Sequence, residues 1–385
     1  MKKKVLSALL SVAMVATLLV GCGGGSKEEA AAPAPEAATE TEAEAPAEEE
    51  AAAPEATGEA LHFEIVSKGL QHEYWQAVKN GCESKALELG ATINFVGPAS
   101  ESDIQPQVDM LNAAVEAAPT AIGLAALSTE ACMDAIIEAQ SQNIPIVGFD
   151  SGVPGAPEGS ILANAATDNY NAGVMAAEEV FKLIEDKLAA GSVIGVMCQD
   201  ATGESLISRG TGFIDKMGEL VAAKGLTVTV QGNDKYVTDS TVEVTEGADV
   251  TIEVKVPATV DNTASANDAT ALLQTPGIVA IYGSNEFSAN NLITADGNIG
   301  KLGKDVIGAG FDSGETIIAA VRDGRLAGAI TQAPVAMGEK LIEMLYAAAN
   351  GETIADVDTG CQWYNAENID NAEICQNLYG YTPAN

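Results

Sequence analysis

Five short apolar runs in this 385-residue chain end on side chains that could bind a ligand. FEIVSKG leads into His72, Tyr74 and Trp75; IPIVGF ends on Asp150-Ser151; GIVAIYGS ends on Asn285-Glu286; DVIGAGF ends on Asp312-Ser313; LAGAIT ends on Gln332. Carboxylates accept paired hydroxyl hydrogens, carboxamides both donate and accept, and an aromatic ring covers the C–H face of a sugar ring. Together they suit a neutral, polyhydroxylated ligand. Each residue also has a plainer reading. Asp150, Asn285 and Asp312 could be helix N-caps, Tyr74 and Trp75 core-facing helix residues, and His72 a surface residue. Gln332 could simply end a strand before a helix opening at Pro334. The argument for a site therefore rests on convergence, and on three such residues falling within four positions of a chain that is 4% aromatic and has two histidines.

Convergence depends on the elements that carry these residues. The apolar runs, with ATINFVG, TAIGLAAL, SVIGVMC and LTVTV, alternate with amphipathic stretches such as EYWQAVKNGCESKALELG, QPQVDMLNAAVEAA, STEACMDAIIEAQSQ and NYNAGVMAAEEVFKLIEDKL. Apolar residues recur there every three or four positions, which is helical periodicity. Strand–helix alternation predicts parallel sheets covered by helices on both faces, and its extent exceeds one core, so two α/β lobes are expected. In open parallel sheets ligands bind beyond the C-terminal strand ends, where all five runs place their polar residues. Residues 236–256 break the rhythm, alternating β-branched and charged residues around Glu246-Gly247, and read as an inserted hairpin with no assigned role.

The ends and the charge limit the function. Three lysines precede an apolar run from Val5 to Val20, which reads as an export signal peptide over residues 1–21. That run closes on Leu19-Val20-Gly21-Cys22, which resembles the bacterial lipoprotein box and marks Cys22 for lipidation. Residues 22–60 then read as a disordered Ala/Glu/Pro tether, with 11 Glu, one Lys and no aromatic residue from Ser26 to Ala60. The bulk of the net charge of −36 lies beyond the tether and argues against nucleic acid, whose binding needs lysine and arginine. Cys82, Cys132, Cys198, Cys361 and Cys375 have no CxxC or zinc-like spacing, although Cys361 and Cys375 could pair. No metal and no cofactor are expected.

In order along the chain, VSKGLQHEYWQAVKNG, IPIVGFDSG, ANAATDNYNAG, SRGTGF, IYGSNE, IGAGFDSGE and AGAITQAP resemble the periplasmic sugar-binding proteins of ABC importers, specifically the ribose type. The resemblance implies the type I periplasmic-binding-protein fold, with two doubly wound parallel-sheet lobes joined by a three-stranded hinge. It places the first lobe at 61–164 and 333–361 and the second at 165–332 and 362–385. It implies that Tyr74 and Trp75 stack on the sugar, that His72 is a neighbouring polar contact, and that Asp150, Asn285, Asp312 and Gln332 bind hydroxyls, with Ser151 beside them. Where ribose binders carry arginines this chain has Ser151 and Ile207, and where they carry an asparagine it has Ala126. These departures leave too little of the ribose cradle to support ribose itself.

The resulting expectation is a monomeric lipoprotein on the outer face of the bacterial cytoplasmic membrane, which captures a small sugar by lobe closure and delivers it to an ABC permease without chemistry. Two other classes compete. A hydrolase using Asp150 and Asp312 as an acid–base pair is disfavoured by the lack of GxSxG, HExxH or a glycine-rich phosphate loop. A nucleoside receptor, or one that presents its ligand to a chemoreceptor, stays open because Tyr74 and Trp75 would stack equally well on a base.

Overall fold

The structure, a computed structural model, describes residues 61–381. The predicted leader, Cys22, the tether and residues 382–385 lie outside the described residues. From the start, the chain runs β1 (His62–Val66), α1 (Glu73–Glu88), β2 (Thr92–Val96), α2 (Ile104–Glu116), β3 (Ala121–Leu124), α3 (Met133–Ser141), β4 (Ile146–Phe149) and β5 (Ile161–Ala166). It continues through α4 (Asn169–Ile184), β6 (Ser192–Met197), α5 (Glu204–Ala223), β7 (Val228–Gly232), α6 (Asp234–Asp239) and β8 (Val250–Lys255). Next come α7 (Asn262–Gln274), β9 (Ile278–Gly283), α8 (Glu286–Ile299), β10 (Ile307–Phe311), α9 (Glu315–Arg322) and β11 (Gly328–Gln332). The last elements are α10 (Pro334–Ala349), β12 (Val357–Asp358), β13 (Cys361–Tyr364) and α11 (Ala372–Cys375).

Two sheets result. The first has strand order β12-β5-β4-β3-β1-β2 and is parallel throughout. The second has order β13-β11-β10-β9-β6-β8-β7 and is parallel except for β13, which runs against β11. Central strands such as β3 (AIGL) and β4 (IVGF) are buried along their whole length, as expected of strands covered on both faces. The chain crosses between the sheets three times, at residues 167–168, at Ala333 and at 359–360. The first and third crossings are tied together, since Thr359 N donates to Ala166 O at 3.0 Å and Asp168 N to the Asp358 carboxylate at 3.1 Å.

Each lobe is braced by a close helix pair. In the first, α1 lies against α10, and a Cβ on Gly81 or Gly338 would collide with the backbone of Val335 or Val78. In the second, α4 lies against α5, with Gly173 against Arg209 and Gly212 against Tyr170 in the same relation. Glycine at these positions lets the helix backbones approach, and so sets where the N-termini of α1 and α5 stand.

The predicted hairpin at 236–256 does not form. Its first residues finish α6, where Tyr236 is drawn fully into the core, and VTIEVK becomes β8, an internal strand parallel to both β6 and β7. Residues of β8 alternate between buried and half-buried, so the period of two was read correctly. Alternation alone, however, does not distinguish a hairpin arm from an internal parallel strand.

Candidate functional site

The C-terminal ends of both sheets face one cleft, which the side chains of the closed lobes narrow to about 40 Å³ of free space. Its walls include seven of the eight residues predicted to bind ligand, namely His72, Tyr74, Trp75, Asp150, Asn285, Asp312 and Gln332. Ser151 does not line it. That side chain is fully buried, and its hydroxyl accepts the Ser205 N–H at the start of α5 at 3.3 Å, so it links the lobes. Glu286, named in the sequence only as the neighbour of Asn285, lines the cleft too, as do Lys68, Glu101, Ser205, Leu206 and Arg209, which the sequence reading passed over.

The two lobes present the same device. GFDSG occurs after β4 and again after β10, and in both copies the aspartate adopts a left-handed backbone, with φ +60 at Asp150 and +78 at Asp312. Aspartate tolerates that conformation better than most residues, but it still costs energy and persists only where its surroundings enforce it. Asp150 N is held by Ala165 O at 3.0 Å and Asp312 N by Ile330 O at 2.6 Å. The carboxylates are fixed as well. Asp150 accepts the Tyr74 hydroxyl at 2.7 Å and pairs with the Lys68 ammonium at 2.7 Å. Asp312 accepts Gln332 Nε2 at 2.7 Å and the Glu286 N–H at 3.0 Å, while Tyr364 donates to its carbonyl at 2.8 Å.

A second polar chain crosses the cleft. Trp75 Nε1 and Gln199 Nε2 each donate to Glu101 at 2.6 Å, and Asn285 Nδ2 donates to Gln199 Oε1 at 2.8 Å. Asn285 also accepts the Ser288 N–H at 3.0 Å, so it caps α8 while lining the cleft. Trp75 is only 2% exposed and stands edge-on to Tyr74 at 5.0 Å, so the aromatic pair forms a wall continuous with the core. Several contacts span the lobes. Lys68 Nζ donates to Ser205 Oγ at 2.8 Å, Gly152 N to Glu204 Oε2 at 3.2 Å and Glu315 N to Glu73 Oε2 at 3.3 Å. These contacts describe a closed cleft.

The missing arginine is not missing. Ile207 lies outside the lining, but Arg209, two residues further along α5, brings a buried guanidinium to the cleft. It donates to Asn169 Oδ1 at 2.7 and 3.2 Å and to Ser284 O at 2.8 Å, and it stacks 3.5 Å above the Phe311 ring. Ala126 contributes no polar group and packs in the first lobe's core. Cations are thus supplied by Lys68 and Arg209 from positions other than those expected, which corrects the view that the donors are lost. Arg209 lies inside the SRGTGF stretch that carried the resemblance, whereas Glu101 sits in a loop after β2 with no local pattern to mark it.

Carboxylates predominate on the walls, where Glu101, Asp150, Glu286 and Asp312 face two cations. Burial pushes the Asp312 carboxyl above its ordinary value, with the Arg209 charge opposing. Burial and then the Asp312 charge push Glu286 up to about 8, while a hydrogen bond from Tyr379 pulls the other way. Burial, followed by the Asp150 charge, raises the Tyr74 hydroxyl well above its usual range, so it remains a donor. Among the described residues no cluster of His, Cys, Asp or Glu is arranged to hold a metal. Cys82, Cys132, Cys198, Cys361 and Cys375 are all free thiols, so Cys361 and Cys375 do not pair.

Two parallel-sheet lobes, three crossings and a polar cleft closed between them define a hinged binding protein. The chain belongs to the periplasmic binding protein domain family, whose match spans residues 63–353. It is 23% identical to the D-allose-binding periplasmic protein of Escherichia coli K12 over 80% of this chain and 91% of that one. A Brachyspira murdochii structure described as an ABC transporter, LacI family transcriptional regulator, is 31% identical, covers 83% of this chain and 99% of its own, and has a TM-score of 0.69. An ABC transporter solute-binding protein from Agrobacterium vitis with bound D-fucose is 28% identical, covers 83% and 100%, and has a TM-score of 0.68.

Proposed function

We propose that this protein is an extracytoplasmic receptor that captures a monosaccharide-sized neutral sugar between its lobes and hands it to an ABC-type import permease, held to the outer face of the membrane by lipid on Cys22. The supporting observation is the paired GFDSG loops, which aim one fixed aspartate from each lobe into a cleft that also holds an aromatic wall and the carboxamides of Asn285 and Gln332. A ligand that bridges Asp150 and Asp312 stabilises the closed state by its contacts to both lobes, which is the condition for ligand-driven closure. Relatives named for D-allose binding and bound to D-fucose agree with a sugar of this size. The excess of carboxylates disfavours sugar acids and sugar phosphates.

The anchor and the permease rest on the sequence of the leader and on the family. Among the described residues no helix is long and apolar enough to cross a membrane. The test is a thermal-shift screen against pentoses, hexoses, polyols and nucleosides. A ligand that binds only the native state raises Tm with the logarithm of its excess over Kd. A monosaccharide hit supports the reading, whereas a nucleoside hit with silence across the sugars would keep the fold and replace the substrate class. For the anchor, a Cys22→Ala variant should leave the membrane fraction; retention there would remove lipidation from the account.

A further inference from the structure

The tail after α11 runs along the loop that carries Asp312. Thr331 Oγ1 donates to Asn377 O at 2.8 Å, Gly380 N to Ser313 O at 2.9 Å and Tyr379 N to Ser313 Oγ at 3.3 Å. Leu378 is buried in the second lobe's core. A Cβ on Gly380 would fall on the backbone nitrogen of Glu315, so glycine is what allows the tail to lie this close. These contacts fix Tyr379, which stands behind the cleft wall. Its hydroxyl donates to Glu286 Oε2 at 3.0 Å, and its ring sits edge-on to Tyr74 of the first lobe, with centroids 6.1 Å apart.

Glu286 is the cleft carboxylate with the least other support. The His72 ring nitrogen Nδ1 is 3.9 Å from Oε1, and the remaining charged neighbours that face it are Glu73 from α1, Glu101 from the loop after β2 and Asp312 from the loop after β10. All three are acidic, and each makes ionisation of Glu286 harder. The Tyr379 hydroxyl is the donor that opposes them.

We propose that Tyr379 is a positioning residue of the cleft, holding the Glu286 carboxyl at the wall where the ligand meets it and closing its ring against Tyr74 when the lobes shut. The C-terminal tail is then part of the binding site although it does not touch the cavity. This rests on reading the cleft as the ligand site, but the first arm of the test does not depend on it.

The tail that carries Tyr379 is tied by its backbone to Ser313 and Thr331 of the second lobe, which also carries Glu286, while the Tyr379 ring packs on the first lobe's core. A carboxyl NMR titration of the ligand-free protein, with the Glu286 resonance assigned through Glu286→Gln, should show its midpoint move to higher pH in Tyr379→Phe. An unchanged midpoint overturns the proposal. The second arm uses calorimetry with D-allose, D-fucose and D-ribose as probes. Tyr379→Phe should weaken the best of them about five- to tenfold, the worth of one hydrogen bond, and should have no further effect in the Glu286→Gln background. An equal loss in both backgrounds would make Tyr379 a general structural residue and overturn the proposal. If none of the three probes binds, the titration alone decides the positioning role.

Discussion

Asp150→Asn isolates the charge of one cleft aspartate. Asparagine, like aspartate, tolerates the left-handed backbone at φ +60, and its carbonyl can still accept the Tyr74 hydroxyl. Lys68 loses its partner. In the closed cleft the Lys68 and Asp150 side chains are each 6% exposed, so the ammonium would be left buried with only Ser205 Oγ to accept from it. Breaking one side of a buried ion pair costs about 3–5 kcal/mol. The closed form bears most of that cost, because Ser205 comes from the other lobe and opening returns the ammonium to water. Ligand binding draws on closure, so a closed state weakened by about 3 kcal/mol should raise Kd roughly 10²-fold. Urea unfolding of the ligand-free protein should change far less. Calorimetry with the best-binding monosaccharide, beside urea curves for both proteins, tests this. A Kd within threefold of the parent, or a stability loss as large as the affinity loss, would refute the argument that this pair acts through closure.

Other expectations follow from the same geometry. Arg209→Met leaves Asn169 Oδ1 and Ser284 O without these donors and Asp312 without its neighbouring cation; it should cost about 3–5 kcal/mol in urea unfolding, and a loss under 1 kcal/mol would contradict the network. Gly338→Ala forces α10 off the Val78 carbonyl and should cost about 1–3 kcal/mol, read as a fall of several degrees in Tm; an unchanged Tm would mean that the helix pair can part freely. Glu286, pushed from its ordinary 4.5 up to about 8, keeps in the closed form a proton that an unfolded chain has released. Its closed-state stabilisation is therefore full below about 4.5, declines as pH rises and is lost above about 8, with Asp312 acting in the same sense. Stability to urea should fall over that window and Glu286→Gln should flatten the profile; a profile unaltered by Glu286→Gln would remove this group as the cause.

Much of this architecture was legible because parallel-sheet proteins write their strands as short apolar runs and place polar residues at the ends. His72, Asp150, Asn285, Asp312 and Gln332 were found by that rule alone, without reference to their partners. The rule fails where side chains reach the cleft from elsewhere. Arg209 comes from the first turns of α5 and depends on how closely Gly212 lets that helix approach α4, which is a property of packing. Glu101 comes from a loop, and Tyr379 acts from a tail set in place by a close glycine contact, 93 residues along the chain from Glu286. Ser151 was misjudged for a related reason, since the residue after a site aspartate is turned away by the left-handed backbone and serves the lobe interface. The repeated GFDSG was present in the sequence, but its meaning as one binding device built twice becomes plain only when the two sheets face each other.

Calorimetric titration of the monosaccharide with the largest thermal shift into the parent protein, Asp150→Ala and Asp312→Ala tests the two-lobe capture of a sugar most directly. The account predicts one site per chain with a Kd of about micromolar or tighter in the parent, and no measurable heat of binding in either variant. Sugar binding that survives the loss of either aspartate, or a cleft that ignores every monosaccharide and takes a nucleoside, would contradict it.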